Sequence, residues 1–366
     1  MKLLIIKIFV LCINILYAPM KFRKTKNKIL YLSRQSDVKS QDMLMLEGGV
    51  KKVSPETQQV FRLKRLKDES AISLSYIFSI FGDMWEMASA KVVIADTYSI
   101  PVSCLNHKKE TKIIQIWHAM GAVKQFSLQA AGKAQGRDSG VAKAMSMHKN
   151  YDFVISPSEK TAEFYCEAFG CSKDKIVIAS LPRVDVISDG KSRYDEFIEL
   201  NPEYKNKKLI AYFPTFRDND SVYIKALSDS FRNNENYALI VSPHPATKVS
   251  EEYAFNGKFS TYDLGKLSYG IISDYSATAI ECSLLNKPLW FYVPDYEQYK
   301  AEKGLNIEIK DEFSKASFED ENELLEAVQN GSYDFDNLKR FSDKYIKNKG
   351  TDNTSKLAGV ICEQLR

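Results

Sequence analysis

Two of the four histidines in this 366-residue chain follow apolar runs of the kind that form buried strands. His118 ends the run "KIIQIWH", and His244 stands between two prolines in "YALIVSPHP". A neutral imidazole is available near pH 7, because its ordinary pKa is about 6.5, so His118 can serve as a general base. The prolines hold His244 stiffly, which suits a group that stabilises charge on a departing phosphate. For His118 the alternative is a core histidine with one satisfied hydrogen bond, and for His244 it is a turn histidine without a functional role.

Further polar side chains that are candidates for substrate binding follow two other apolar runs. These residues are Thr215, Arg217, Asp274, Tyr275, Ser276 and Thr278. The guanidinium of Arg217 matches the geometry of a phosphate, and a helix that begins behind Ser276 would offer free N–H groups and a positive dipole end. An ion pair between Arg217 and a neighbouring aspartate, and an ordinary helix cap at Ser276, are the structural alternatives.

Three nearby residues complete the candidate set. Glu281, one turn into the same predicted helix, can accept hydrogen bonds from ribose hydroxyls. Lys124 can meet a phosphate, and Gly121 allows either a tight turn or a close approach to a ligand. The remaining histidines, His107 and His148, lie in polar, loop-like surroundings, so we predict surface roles for both.

Composition argues against several classes of protein. The six cysteines are scattered and form no CxxC pair, which argues against a disulfide framework or a zinc site. The chain also lacks the GxGxxG, GxxxxGK[ST] and GxSxG patterns of dinucleotide-binding proteins, P-loop enzymes and serine hydrolases. Its formal net charge of +4 is too small to argue for nucleic acid. We therefore expect a reaction without metal or cofactor, and no nucleic-acid partner.

Short apolar runs alternate with helical stretches, which predicts parallel sheets covered by helices on both faces. The runs span residues 28–33, 90–96, 112–118, 151–158, 175–182, 208–216, 237–245, 269–276 and 288–295. A polar stretch at 188–208 separates two series of runs. The predicted fold class is therefore α/β, with two doubly wound, Rossmann-like domains, residues 27–186 and 187–366, facing across a cleft. The last helix is free to cross back to the first domain. Ligands of such sheets bind beyond the carboxyl ends of the strands.

Residues 1–26 form a separate predicted segment. The stretch "LLIIKIFVLCINILY" is apolar apart from Lys7 and Asn14, and is shorter than the ~20 residues that a membrane-spanning helix needs. The basic stretch "KFRKTKNK" follows it directly. We favour a helix that lies on the cytoplasmic face of a membrane, with the basic residues on anionic head groups. The alternative is a first buried helix or strand of the fold.

Five motifs, in this order, resemble those of the CDP-glycerol glycerophosphotransferase family of teichoic-acid synthesis. They are "QIWHAMGAVKQF", "SLPRVD", "AYFPTFRD", "SPHPA" and "ISDYSATAIECSLLNKPLWFYVPDYEQY". The resemblance, strongest to the primase branch of the family, implies a GT-B-like fold and a peripheral enzyme on the cytoplasmic side of the cell membrane. The implied reaction moves glycerol phosphate from CDP-glycerol to a lipid-linked disaccharide and releases CMP.

The resemblance also implies roles for individual residues. His118 matches the base and His244 the second histidine near the donor phosphates, while Arg217 and Ser276 match donor-binding positions. Arg183, from "SLPRVD", joins the substrate-binding candidates. Departures from the family pattern leave CDP-ribitol or another CDP-alcohol open as the donor. A GT-B glycosyltransferase that uses a nucleotide sugar and a non-catalytic scaffold are the other hypotheses, and homo-oligomer formation is left open.

Overall fold

The computed structural model describes residues 1–66, 74–133, 136–217, 219–244, 247–255 and 257–366. The chain divides into two compact units. The N-terminal unit comprises Met1–Met120, Phe126–Asp185 and Lys347–Arg366, and the C-terminal unit comprises Gly121–Gln125 and Val186–Ile346. The main boundary thus lies one residue before the predicted one, and the last helix belongs to the N-terminal unit.

The strands and helices alternate along the described parts of the chain. The strands are β1 (Lys26–Ser33), β2 (Gln58–Leu63), β3 (Ala90–Ala95), β4 (Lys112–Gln115), β5 (Phe153–Ser156), β6 (Ile176–Ile178), β7 (Lys208–Tyr212), β8 (Tyr237–Val241), β9 (Gly270–Ser273), β10 (Leu289–Tyr292) and β11 (Ser317–Phe318). The helices are α1 (Lys2–Met20), α2 (Gln41–Val53), α3 (Leu74–Met87), α4 (Ile100–Cys104), α5 (Ser139–Ala144), α6 (Glu159–Phe169), α7 (Arg183–Ile187), α8 (Tyr194–Leu200), α9 (Asp220–Phe231), α10 (Thr261–Leu267), α11 (Thr278–Cys282), α12 (Tyr296–Lys303), α13 (Ile309–Glu312), α14 (Glu321–Asn330), α15 (Phe335–Tyr345) and α16 (Asn353–Glu363).

Each unit contains one parallel sheet. The described strands of the N-terminal unit pair in the order β2-β1-β3-β4-β5-β6, and those of the C-terminal unit in the order β11-β10-β9-β7-β8. Every pairing is parallel. Read from β8, the strand order of the C-terminal sheet matches the first five positions of the N-terminal sheet. In both sheets, successive strands are added first on one side of the first strand, β1 or β7, and then on its other side. The predicted doubly wound α/β fold class is therefore confirmed, and each sheet has a switch point, β1/β3 or β7/β9, where such folds bind ligands.

Buried apolar side chains explain why the central strands form. The last six residues of β1 and all of β9 and β10 are buried, as expected for strands that are covered by helices on both faces. The helix α6, between β5 and β6, begins and ends at residues typical of helix termini. The Ser158 hydroxyl accepts a hydrogen bond from the Thr161 N–H at the start of α6, and Gly170 ends that helix with φ 60°.

Two edge strands, β2 and β11, are absent from the predicted set. β2 has the sequence "QQVFRL", whose glutamines and arginine interrupt the apolar pattern, and β11 contains only two residues. Edge strands are solvated on one side, so they do not need the continuous apolar run that identifies a central strand.

The helix α1 packs against the N-terminal unit along one side only. Ile13 and Tyr17 are buried, and the Asn14 side chain donates to the Cys104 carbonyl (2.8 Å) and accepts from the Asn106 N–H (2.9 Å). The exposed apolar residues of the helix are Leu3, Leu4, Ile5, Ile8, Leu11, Ile15 and Leu16. By length and composition alone, α1 could cross a membrane. The packed side of α1 therefore matches the alternative of a buried first helix, whereas the exposed apolar side is available to contact lipid.

Candidate active site

His118 lies in a loop that follows β4, at the carboxyl edge of the N-terminal sheet. Its Nδ1 lies 3.1 Å from the carbonyl oxygen of Asp96, which follows β3. A carbonyl oxygen can only accept a hydrogen bond, so Nδ1 carries the proton and the lone pair of the neutral ring is on Nε2. The Asp96 carboxyl is itself buried, and loss of water raises its pKa to about 6. This arrangement selects the tautomer in which Nε2 can act as a base.

The backbone around His118 is held at successive residues. Trp117 adopts a left-handed conformation, with φ 55°, which is uncommon for a bulky residue. Its N–H donates to the Gln115 side chain at 2.9 Å, and the Tyr165 hydroxyl donates to the Ala119 carbonyl at 2.7 Å. A sparsely populated conformation persists only where the surrounding structure enforces it, and these contacts do so.

Arg183 provides a further contact to this loop. Its Nη2 donates to the His118 carbonyl at 3.1 Å, and its Nε donates to the Asp42 carboxylate at 2.8 Å. The Arg183 backbone N–H also donates to Asp42, at 2.8 Å. Asp42 is buried in the first turn of α2. These protein contacts give Arg183 a supporting position behind His118, whereas the sequence analysis assigned it to substrate binding.

Aromatic side chains pack beneath the same loop. The Trp117 ring centroid lies 4.2 Å from that of His118 and 5.2 Å from that of Phe169. His148 lies 4.8 Å from Phe169 and is 3% exposed. The predicted surface role of His148 is therefore wrong: its loop is polar in sequence, but the ring packs into this aromatic cluster. His107 is half-buried beside Tyr17, with Nε2 2.7 Å from the Val102 carbonyl, so its predicted surface role is not met either.

In the C-terminal unit, Asp274 joins the ends of the two strands at the switch point. This buried carboxylate accepts from the Thr215 N–H at 2.9 and 3.0 Å and from the Thr215 hydroxyl at 2.6 Å. It also accepts from Arg217 Nη1 at 2.8 Å. Thr215 and Arg217 follow β7, and Asp274 follows β9. The structure brings these predicted residues together, but Asp274 is satisfied by protein donors, so its placement is that of a structural link between strand ends.

The Arg217 guanidinium also has N–H donors that Asp274 does not use. Its Nε lies 3.2 Å from a carboxylate oxygen of Asp295, an ion-pair distance, but not in hydrogen-bond geometry. Its Nη2 is buried and has no hydrogen-bond partner among the described residues. A buried guanidinium nitrogen of this kind is normally paired, so Nη2 is a donor that an anionic ligand could satisfy.

Two tyrosine rings pack close to Arg217. Tyr275 stacks on Tyr299 with ring centroids 3.9 Å apart and an interplanar angle of 9°. The Tyr275 hydroxyl donates to Asp295 at 3.0 Å, and the Arg217 guanidinium carbon lies 5.3 Å from the Tyr275 ring centroid. Tyr275 is therefore buried in protein contacts. Asp295 and Tyr299 were missed as site residues, although both lie in the last quoted motif, just after β10.

The Ser276 side chain makes local contacts at the start of the predicted helix, whose N-cap residue is Ala277. The Ser276 hydroxyl accepts from the Thr278 N–H at 3.2 Å and donates to the Thr278 hydroxyl at 3.0 Å. The helix α11 that begins at Thr278 has only five residues. Glu281 within it is buried and accepts from the Tyr262 hydroxyl at 2.8 Å. Ser276 is therefore not the ordinary helix cap that the sequence left open, and the contacts of Ser276 and Glu281 described here are to protein groups.

Gly121 and Lys124 belong to the C-terminal unit, not to the N-terminal domain in which the sequence analysis placed them. The Val123 carbonyl accepts hydrogen bonds from the backbone of residues 306 and 307, and Lys124 pairs with Leu305 in an isolated β-bridge. Gly121 has φ +149°, and a Cβ there would meet the Ile280 Cδ1 at 2.3 Å. A close approach to protein therefore explains this glycine.

Lys124 retains solvent exposure, and its charge acts on the cluster around Arg217. The surrounding protein atoms lower its pKa through desolvation, while the negative charge of Asp274 raises it. The Lys124 side chain therefore remains a candidate for contact with a phosphate.

His244 follows β8 at the carboxyl edge of the C-terminal sheet and is exposed. Its ring centroid lies 5.7 Å from that of Phe216, which follows β7. Pro245, which the sequence analysis invoked to hold His244 stiffly, lies outside the described residues. In the described ranges, no group of three or more His, Cys, Asp or Glu side chains is placed to hold a metal ion.

Known proteins resemble this chain in sequence and in structure. The chain is 29% identical over 305 residues to the teichoic acid ribitol-phosphate primase of Bacillus spizizenii, with 78% of each protein covered. It is also 29% identical over 287 residues to the teichoic acid glycerol-phosphate primase of Bacillus subtilis, covering 75% of this chain and 74% of that protein. A structure of the wall teichoic acid polymerase TagF superposes with a TM-score of 0.70 at 17% identity, over 96% of this chain and 92% of the other.

The likeness to TagF confirms the predicted GT-B-like class of fold. The model of one family, described as CDP-Glycerol:Poly(glycerophosphate) glycerophosphotransferase, matches residues 16–363. That range contains all five motifs and both candidate histidines. As its motifs predicted, the chain belongs to the CDP-glycerol:poly(glycerophosphate) glycerophosphotransferase family and is a transferase of teichoic acid synthesis.

Proposed function

We propose that this protein transfers glycerol phosphate from CDP-glycerol to a lipid-linked disaccharide and releases CMP, as a step of wall teichoic acid synthesis. The observation that carries the proposal is the fixed tautomer of His118, which presents Nε2 as a base in a loop that several contacts hold in place. Family membership and the likeness to a glycerol-phosphate primase support the donor.

In the proposed reaction, Nε2 of His118 takes the proton of an acceptor hydroxyl. The acceptor oxygen forms a bond to the phosphorus that carries glycerol, and the bond from that phosphorus to the oxygen of CMP breaks. CMP leaves with the electron pair. A transfer of this kind depends chiefly on positioning and on charge neutralisation, and a general base contributes typically ~10²–10⁴-fold.

We assign the neutralisation of the departing CMP to the C-terminal unit. Arg217 supplies the unpaired donor Nη2, and two aspartates already balance its charge, so a further cation is needed beside a diphosphate. Lys124 and His244 are the candidates for that role. Thr215, Tyr275 and Asp274 would then hold Arg217 rather than contact the donor.

The acceptor and the location of the protein are further parts of the proposal. A lipid-linked acceptor stays in the membrane, and the exposed apolar side of α1 gives the protein a surface that suits lipid.

Exposed Phe22, Phe78 and Trp85 add aromatic side chains of the kind found at membrane interfaces, and Arg23 stacks on Trp85 at 3.8 Å. Lys28 of the predicted basic stretch is buried against Glu86, so it does not contribute. We infer peripheral attachment to the cytoplasmic side of the cell membrane.

CDP-ribitol is the second candidate donor. The observation that favours it is the 29% identity to a ribitol-phosphate primase over 305 residues, which is as high as the identity to the glycerol-phosphate primase. Both donors carry a CDP group, so the described residues around Arg217 suit either one.

A product mass spectrum tests the proposal. The protein is incubated with a lipid-linked disaccharide and with CDP-glycerol, CDP-ribitol or a nucleotide sugar in separate reactions. The proposal predicts that the acceptor gains the mass of glycerol phosphate and that CMP appears in equal amount. A gain of ribitol phosphate alone selects the second donor, and transfer of a sugar contradicts both. The number of units added separates a primase from a polymerase.

A further inference from the structure

A groove of about 720 Å³ lies in the N-terminal unit, beside the first turns of α1. It is within the size range of small-molecule sites, which is roughly 300–1,000 Å³. Its apolar lining comes from α1, α3, α4 and α5 and includes Ile5, Ile6, Tyr76, Ile100, Val141 and Met145. The first turns of α1, including exposed Ile5, thus contribute to an apolar cavity.

Two guanidinium groups line this otherwise apolar groove. The guanidinium carbons of Arg34 and Arg137 lie 5.7 Å and 5.6 Å from the ring centroid of Tyr98. Arg34 donates from Nη1 to the Tyr98 carbonyl at 3.0 Å, while its Nε is buried without a hydrogen-bond partner in the described part of the chain. An arginine fork in such surroundings is suited to a phosphate, and both forks line the same groove.

Among the described residues, the charged side chains that line the groove are Lys2, Arg34, Arg137 and Asp138, so this part of the lining is net basic. The Asp138 carboxylate already accepts a hydrogen bond from the Val141 N–H at 2.8 Å, where it caps α5. The combination of an apolar lining with an excess of positive charge is typical of a site for a lipid with an anionic head group.

The groove lies where the topology of the sheet predicts a ligand. Arg34 directly follows β1, and Tyr98 lies three residues after β3, so these two residues stand at the β1/β3 switch point. The carbonyl of Asp96, two residues before Tyr98, is the group that orients His118. The groove and the proposed base therefore share one connecting segment.

We propose that this groove binds the isoprenoid diphosphate end of the lipid-linked acceptor, an inference that rests on the proposed function. The apolar lining takes the part of the isoprenoid chain nearest the head group, and the forks of Arg34 and Arg137 bind the diphosphate. The disaccharide then extends along the carboxyl edge of the sheet toward His118. A groove that served bulk phospholipid would need no such pair of forks.

The test uses a photoreactive isoprenyl diphosphate and the full chain, without a donor. Irradiation is expected to label peptides from α1 and α5, and unlabelled isoprenyl diphosphate is expected to compete. Arg137→Ala is expected to weaken binding about tenfold, the usual effect of a lost charged hydrogen bond. Val141→Trp fills part of the groove and is also expected to weaken binding about tenfold. Arg232→Ala is the matched control, because Arg232 is an exposed arginine of the C-terminal unit whose guanidinium carbon lies 5.6 Å from the Tyr253 ring centroid.

Three results would overturn the inference. They are labelling outside the groove, equal competition by phosphatidylglycerol, and unchanged affinity in both groove variants when circular dichroism shows that they are folded. The product mass spectrum described above separates a failure of the groove inference from a failure of the proposed function. Transfer to a lipid acceptor without labelling of the groove refutes the groove alone, whereas labelling without any transfer from CDP-glycerol refutes the reaction and leaves a lipid diphosphate site.

Discussion

The Nη2 of Arg183 donates a hydrogen bond to the carbonyl oxygen of His118 at 3.1 Å, while the Nε of the same guanidinium donates to buried Asp42 at 2.8 Å. Arg183 thus connects the first turn of α2 to the loop that carries the proposed base. A displacement of about 1 Å of a catalytic group can cost roughly 10²-fold in rate, so a support of this kind affects turnover without touching substrate.

We expect Arg183→Ala to lower kcat about tenfold or more and to leave the KM for CDP-glycerol nearly unchanged, because it removes support from His118 rather than a substrate contact. Arg183→Lys should restore part of the rate, since a lysine keeps the charge but lacks the fork. Steady-state assays of CMP release give both constants. A raised KM with unchanged kcat would instead support the substrate-binding role that the sequence first suggested.

Asp274 provides a test of what the C-terminal cluster does. Replacement of Asp274 by alanine leaves Arg217 with one of its two carboxylate partners and removes the link between the ends of β7 and β9. Loss of one partner of a buried ion pair costs about 3–5 kcal/mol. Urea denaturation should show that loss. Asp229→Ala is the control, since it breaks an exposed ion pair with Arg232 and should leave the transition unchanged. Equal effects of the two substitutions would contradict a structural role for Asp274.

The buried His148 predicts a pH dependence of stability. Burial lowers its pKa to about 3, whereas the unfolded value is about 6.5. Below pH 6.5 the unfolded chain therefore binds a proton that the folded chain does not, so stability falls as the pH drops toward 3. The slope from this group reaches about 1.4 kcal/mol per pH unit.

His148→Asn removes this titration, and asparagine tolerates the positive φ of 61° at this position. The wild-type protein should lose more free energy of unfolding between pH 7 and pH 5 than the variant does. Denaturation curves at both pH values give the comparison, and contributions from other groups cancel in the difference. Equal losses in the two proteins would show that His148 is protonated in the folded state.

The exposed side of α1 carries the proposed attachment to the membrane. Leu11 and Ile15 are 61% and 62% exposed, so the double change to glutamine leaves the packed side of the helix intact. We expect this variant to shift from the pellet to the supernatant when it is sedimented with anionic vesicles. Glutamine at Leu200 and Val222, which are equally exposed in the C-terminal unit, should not change partitioning. Retention of the α1 variant on vesicles would place the attachment elsewhere.

Features that depend on local patterns could be predicted from the sequence. The central strands were recognisable because both faces are buried, and the residues after β4, β7, β8 and β9 were recognisable because parallel strands end at one edge. Ser158 and Gly170, at the start and end of α6, are likewise residue types that mark helix termini locally.

Features that depend on contacts distant in sequence could not be predicted. Asp42 and Arg183 are 141 residues apart, so nothing in the local pattern links them. Similarly, Gly121–Gln125 join the C-terminal unit through hydrogen bonds to residues 304, 306 and 307. The burial of His148 depends on Phe169 and Trp117, whose packing is invisible in the polar sequence around it.

The turnover of His118→Ala tests the central claim most directly. The variant removes Nε2, and the packing of Trp117 on Phe169 and Phe126 gives the loop support that does not involve the imidazole. With CDP-glycerol and a lipid-linked disaccharide, and with the fold verified by circular dichroism, CMP release should fall roughly 10²–10⁴-fold. A folded variant that releases CMP at a rate near that of the wild-type protein would contradict the role of His118 as the base.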